Sequence, residues 1–239
     1  MEKTRKTEED HLTEARDRLL DAALMHVPFD GWSETTWRAA RADSGVDPGL
    51  ARLAFPRGVR DLALACHRRG DEMLRERAAH ANLGSLRYSA RVAALVRLRL
   101  EVIGDRETAR AGVSFFMLPQ NSGDGTAAIW ATADLIWRLL GDRSDDVNWY
   151  TKRVILAGVY SATLLYWLGD ESAVQADSWA FLDRRIENVM QFEKLKGKMR
   201  ENPLVRGFMR GPGRVLDRIH APNSDARINF PGYVGPKNG

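Results

Sequence analysis

Side chains able to do covalent or metal chemistry are thinly spread in this chain. Cys66 is its single cysteine, and His11, His26, His67, His80 and His220 stand far from one another. No Cys/His spacing suits a zinc ion, no Glu-x-x-His pair suits a di-iron site, and no glycine-rich loop is placed to cradle phosphate. The residues therefore read as non-catalytic, with no metal and no cofactor. With one cysteine no internal disulfide can form, so there is no mark of an oxidising compartment.

What the chain offers instead is contact chemistry. Trp149 and Tyr150 are adjacent, follow the charged loop Gly141–Asp146, and precede Arg153 by about one helical turn. Neighbouring helix positions differ by about 100° in direction, so two large aromatics and an arginine here do not all fit into a core easily. Aromatics beside an arginine are the composition of an energetic centre in a protein interface. Asp146, Trp149, Tyr150 and Arg153 form the candidate partner-binding set. In the alternative, Trp149 packs inward and Tyr150 covers the helix end.

A second feature lies toward the carboxyl end. From Arg184 to His220 there are ten Lys/Arg against four Asp/Glu, a surplus larger than the net +4 of the whole chain. Lys194, Lys196, Lys198 and Arg200 alternate with Phe192, Leu195 and Met199. Beyond Asn202-Pro203, Leu204, Val205, Phe208 and Met209 are interleaved with Arg206 and Arg210. Basic and bulky apolar residues in short helices suit a membrane interface, where each Lys or Arg contributes ~1 kcal/mol near an anionic leaflet. The candidate membrane-binding residues are Lys194, Lys198, Leu204, Val205, Phe208 and Met209. The alternative is a solvated basic face on the chain's own domain.

The elements that must position these residues all read as helices. Leu12, Ala15, Leu19, Ala22 and Ala23 recur at helical spacing until Pro28 and Gly31, and Ser33 is an N-cap for a short helix to about Ala42. Asp47-Pro48 starts another, which Pro56 and Gly58 interrupt, and a longer one runs from about Val59 to Ala81. Tyr88, Val92, Leu95, Leu98 and Val102 make one stripe, with Arg87, Arg91, Arg97 and Arg99 largely off it. Further helices are expected before Leu118, after the loop Pro119–Gly125, over Asn148–Leu168, and around Trp179, Leu182, Ile186 and Val189. No strand alternation and no repeat appear. Hydrophobic content of 44% with 28% charged residues is globular composition. The longest uncharged run, Val154–Gly169, is shorter than the roughly 18–20 residues of a spanning helix and contains Ser161 and Thr163. Met1–Arg16 has no apolar stretch of the secretory kind, and its acidic residues speak against a transit peptide.

From Leu19 to Leu62 the chain resembles the amino-terminal domain of the tetracycline-repressor family. The likeness rests on an amphipathic first helix, Gly31-Trp32-Ser33, then Trp37, Ala40 and Ala42, the Gly45-Val46 turn and Phe55-Pro56. A recognition helix needs polar side chains at base edges and cations near phosphates. This third helix offers Gly49, Leu50, Ala51, Leu53, Ala54 and Phe55, with Arg52 its one charge, while Arg57 and Arg60 stand near phosphate-contact positions. The expectation is a retained scaffold that does not read DNA. A transcriptional regulator with a hydrophobic effector is the alternative.

Asn148-Trp-Tyr-Thr-Lys-Arg153, Trp179-Ala-Phe-Leu-Asp-Arg-Arg185, and Leu118-Pro-Gln-Asn121 with Ile136-Trp137 resemble the coenzyme Q biosynthesis lipid-binding family, over about Leu19–Glu193. The resemblance implies an all-α, tetracycline-repressor-like fold of about nine to ten helices. It also implies a bound isoprenoid, quinone or phospholipid, and docking of the di-iron demethoxyubiquinone hydroxylase at the Trp149–Tyr150 surface. A terminal amphipathic membrane helix and a homodimer through the last two long helices follow from the same likeness. Phe115, Leu118, Trp130, Trp137, Tyr160, Leu164 and Trp167 are the candidate lipid-lining residues, although an aromatic stripe is more often plain core. The expected organisation is a flexible start (1–10), a helix-turn-helix-like domain (11–80), a lipid-binding and dimerisation domain (81–200), a basic amphipathic segment (201–220) and a disordered tail (221–239). The expected location is cytoplasmic, peripheral to a bacterial inner membrane, or the mitochondrial matrix side if a presequence has been removed.

Overall fold

The computed structural model describes residues 7–145 and 147–201, with side chains through Gln191. Among them the chain is all helical: α1 (Glu8–Asp30), α2 (Glu34–Ser44), α3 (Pro48–Ala54), α4 (Val59–His80), α5 (Tyr88–Glu101), α6 (Arg106–Met117), α7 (Ser122–Leu139), α8 (Val147–Leu168) and α9 (Ala176–Glu201). Short 3-10 turns lie at Leu83–Ser85 and Ala173–Gln175. No described residue is in a strand.

Local chemistry sets most of the ends. Ser33 accepts from the Thr36 N–H, and Asp47 accepts from the Gly49 and Leu50 N–H groups ahead of Pro48. Gly45 closes α2 at φ +60°, a left-handed angle that a side chain reaches only with strain. Two elements run further than the sequence suggests. Thr7 builds a capping box with Asp10, so α1 begins within the stretch 1–10 that is expected to be flexible. At its other end α1 passes through Pro28, whose missing N–H falls in the last turn, and stops at Gly31. Helix α7 starts at Ser122, so Gly123, Asp124 and Gly125 are helical rather than loop.

The chain divides into two compact units, one comprising residues up to Glu72 with Ile103–Gly125, the other Met73–Val102 with the remainder from Thr126. In the first, Leu19, Leu20, Ala23 and Val27 of α1 pack with Trp37, Ala40, Ala51, Phe55 and Leu62, and Trp37 meets Phe55 edge-on at 6.4 Å. Phe115 and Phe116 of α6 lie against this same core. In the second, α9 packs on both α5 and α8. Its interior contains Leu95, Val96, Leu100, Ile136, Leu156, Tyr160, Leu182 and Ile186.

Candidate functional site

The richest cluster of functional side chains gathers where α8 begins. Trp130 of α7 meets Trp149 and Tyr150 of α8 at ring-centroid distances of 5.8 and 6.3 Å, and those two meet each other edge-on at 4.8 Å. Trp149 is 2% exposed, whereas Tyr150 is half-buried. The alternation arises because successive side chains leave the helix about 100° apart, so one of the pair turns in and its neighbour stays at the rim.

Arg153, also 2% exposed, anchors this end of the helix. Its Nε donates to Asp134 Oδ1 at 2.7 Å, and its Nη1 donates to Asp142 Oδ2 at 3.3 Å and to the Trp149 carbonyl at 3.0 Å. The other oxygen of Asp134 pairs with Arg138 at 3.0 Å. Lys152 Nζ donates to Asp142 Oδ1 and Ser144 Oγ, each at 2.7 Å. Burial pushes the Asp142 carboxyl pKa up, but hydrogen bonds from Lys152 and Ser144 outweigh it and hold the group below its ordinary value. Lys152 also lies 5.3 Å from the ring of Trp137, whose Nε1 donates to the Lys152 carbonyl at 3.0 Å. Tyr88 tilts against Trp137 at 6.4 Å, and burial, with the charge of Asp142, raises its phenol pKa.

Comparison with known proteins identifies the family. The family model described as COQ9 matches residues 123–193, the segment that contains this cluster apart from Tyr88. The rat ubiquinone biosynthesis protein COQ9, mitochondrial, is 30% identical over 214 residues, covering 84% of this chain and 68% of that protein. The human protein of the same name is 30% identical over 215 residues, covering 84% and 67%. The chain belongs to the COQ9 family. A Xenopus tropicalis relative is 32% identical over 185 residues, covering 73% of this chain and 57% of that protein. A TetR transcriptional regulator from Nitrosomonas europaea ATCC 19718 superposes with a TM-score of 0.59 at 20% identity, covering 72% of this chain and 95% of that one, a likeness of fold.

Of the partner-binding set expected from sequence, Tyr150 is at the rim, while Trp149 and Arg153 are interior. Asp146 lies outside the described residues, as do Leu204, Val205, Phe208 and Met209 of the membrane set. Lys194 and Lys198 fall on α9, with side chains outside the described ones. Among the lipid candidates, Phe115 and Leu118 belong to the first unit and the other five to the second. Phe115 packs edge-on against Phe116 at 5.4 Å, and Leu118 is exposed past the end of α6. Trp130, Tyr160 and Trp167 are buried, and Trp137 and Leu164 half-buried.

Sequence reasoning missed Asp134 and misplaced Arg99. Asp134 is an acid within the apolar run Ala127–Trp137, four residues before Arg138, which is the available signal for a buried ion pair. Arg99 follows Leu95 by four residues, so it shares the inward face of α5 and is buried over the Tyr160 ring, 5.9 Å away. In the first unit, Arg57 is held by Asp61 at 2.8 Å and Asp124 at 3.0 Å, and Arg60 donates to the Gln120 carbonyl at 2.9 Å.

Proposed function

We propose that this chain is a non-catalytic accessory protein of ubiquinone biosynthesis, the process for which its relatives are named. In this reading it binds an isoprenoid or quinone lipid, attaches peripherally to a membrane, and presents the lipid to the di-iron demethoxyubiquinone hydroxylase. The carrying observation is that the family's matched segment contains the Asn148–Arg153 hexapeptide, whose Tyr150 stands at the rim over a fixed aromatic cluster. An aromatic at the rim of a rigid base suits a protein contact. Because Trp149 is interior, the docking surface in this reading centres on Tyr150, with Trp149 as its support.

Membrane attachment rests on the basic and apolar residues of the tail. No helix among the described residues is long and apolar enough to cross a membrane, which fits attachment at the surface. A homodimer through α8 and α9 belongs to the same reading. Transcriptional regulation is the rival, favoured by the regulator fold. Against it, α3 presents Leu53, 69% exposed, at its surface, and Arg57 and Arg60 are engaged within the chain rather than free for phosphate.

The test is organic extraction of the purified chain with mass spectrometry of what is released, followed by flotation on anionic vesicles and pull-down of the hydroxylase. Isoprenoid lipid in the extract, flotation lost on deleting 204–219, and pull-down lost in Tyr150→Ala are the expected results. A chain that releases no lipid and binds its own upstream duplex with nanomolar affinity at physiological salt overturns the reading in favour of the regulator.

A further inference from the structure

Phe29 is 87% exposed and Met25 73%, and the two stand about one turn apart on α1. Ala22, three residues before Met25, continues their face toward the start of the helix. The opposite side of α1 is the one that folds the unit, with Leu19, Leu20, Ala23 and Val27 in the core. A surface helix keeps charge on its outer side, so a second apolar stripe there marks a contact surface.

Carboxylates border the stripe. Glu14, Asp17 and Asp21 lie toward the amino end of α1 and line an open groove with Asp10, Thr13 and Arg18. On the other side, Asp43 of α2 meets His26 at 2.7 Å. Arg18 donates to the Ser44 carbonyl, and Arg69 of α4 donates to Asp17 and Asp21. Glu14, Asp17, Asp21 and Asp43 are all exposed and outnumber these two guanidinium groups. This border decides what suits the stripe. An anionic leaflet or a nucleic acid meets like charge here, and so does a second copy of the same face. A cationic helix with one apolar side meets apolar surface at Met25 and Phe29 and opposite charge beside it.

We propose that the Ala22–Met25–Phe29 face of α1 docks a basic amphipathic helix of a partner protein. The partner's apolar residues lie on Met25 and Phe29, and its cations on Asp17, Asp21 and Asp43. This surface belongs to the first unit, whereas Tyr150 belongs to the second, and the inference holds whether or not the chain binds lipid.

The test uses the full chain and two synthetic amphipathic helices, one of leucine and lysine, the other of leucine and glutamate, read by fluorescence anisotropy. The lysine helix is expected to bind and the glutamate helix not to. Met25→Ala combined with Phe29→Ala should weaken the lysine helix roughly tenfold, with circular dichroism unchanged because both positions are exposed. Leu165→Ala, at an exposed apolar position of α8, should leave binding as it is. A lysine helix that does not bind, binds no better than the glutamate helix, or is held equally by the double variant overturns the proposal. An equal loss in Leu165→Ala does the same. Deleting 204–219 is expected to leave the affinity for the lysine helix unchanged. A gain of roughly tenfold would mean that the chain's own basic segment covers the face, and the partner is wrong.

Discussion

The guanidinium of Arg153 lies 3.9 Å from the centroid of the Trp149 ring and also donates to that residue's carbonyl oxygen, so one buried cation fixes both the side chain and the backbone of Trp149. Because Trp149 in turn supports Tyr150 edge-on, the direction of a rim residue is set from the interior. Arg153→Ala removes the clamp and leaves Asp134 and Asp142 short of a partner. Breaking one side of a buried ion pair costs about 3–5 kcal/mol. Denaturant unfolding of Arg153→Ala should show that loss, and the double variant with Asp134→Ala should cost less than the sum of the two. Additive losses would mean that the pair is not coupled.

Gly125 tests the junction of α6 and α7. A Cβ on Gly125 would come within 2.6 Å of the Phe116 Cβ. In an exposed helix, Gly→Ala stabilises by about 1 kcal/mol, but here the sign should reverse, with a loss of about 1–3 kcal/mol from overpacking. Phe116→Ala should not rescue it, since alanine keeps the offending Cβ. Thermal unfolding of the single and double variants decides this, and a stabilised Gly125→Ala would contradict the close approach.

Several carboxylates make the fold sensitive to acid. Asp105 is held below its ordinary pKa by hydrogen bonds from Thr108, chiefly its side chain, and Asp142 by Lys152 and Ser144 against the upward push of burial. Asp170, which receives Ser172 N–H, Ser178 N–H and the Ser178 hydroxyl, is held well below the carboxylate range. A depressed folded pKa gives stability that is complete above the unfolded value of about 3.9 and lost as pH falls through the folded one. Urea midpoints should therefore be level near neutrality and fall below about pH 4. Asp170→Asn should be less stable at pH 7 and show a shallower acid slope. An unchanged slope would rule Asp170 out as a contributor.

The helical frame was legible wherever local chemistry decides it. Ser33, Gly45 and the Asp47-Pro48 start act through their own backbone, and the structure has them in those roles. The hexapeptide at the start of α8 was legible as a family signature, and of its two readings the structure has the alternative, with Trp149 inward and Tyr150 at the rim. What distinguishes the two readings is the burial of Arg153, whose partner Asp134 lies nineteen residues before it and is invisible to a periodicity that counts charges as surface. Arg99 was misjudged for the same reason, since polarity was weighed above its position four residues after Leu95. The passage of Ile103–Gly125 into the first unit was also hidden, because Phe115 and Phe116 are apolar enough to suit either core.

The turn between α8 and α9 contains Val174 at φ +51°, followed by Gln175 at φ +55°. A β-branched residue in the left-handed region costs about 1–2 kcal/mol, and glycine avoids that cost at some loss of chain entropy. Val174 is largely exposed, so Val174→Gly removes little packing and should stabilise the chain by about 0.5–1 kcal/mol. Calorimetry checks it, and a lower Tm would mean that the valine side chain serves packing instead.

A homodimer of this chain needs an apolar face that the unit leaves uncovered. On α9, Leu182 and Ile186 are buried within the unit, so they are not the contact between copies. Among the described residues an exposed apolar face lies on α8, where Val154, Gly158 and Leu165 are exposed at spacings of four and seven residues, which is one helical face. Beside it Tyr166 stacks on Phe181 at 4.6 Å, and Arg185 lies 5.2 Å from the same Phe181 ring. A two-fold axis brings such a face against its own copy, with Gly158 allowing the helices to approach closely. Leu165→Glu puts a charge in the middle of that contact and on its copy at once, while costing the isolated fold little because the position is 55% exposed. Light scattering at micromolar concentration should report a dimer for the natural chain and a monomer for Leu165→Glu, with circular dichroism of the two superimposable. A natural chain that is monomeric sinks the dimer. A variant that stays dimeric moves the interface off this face of α8.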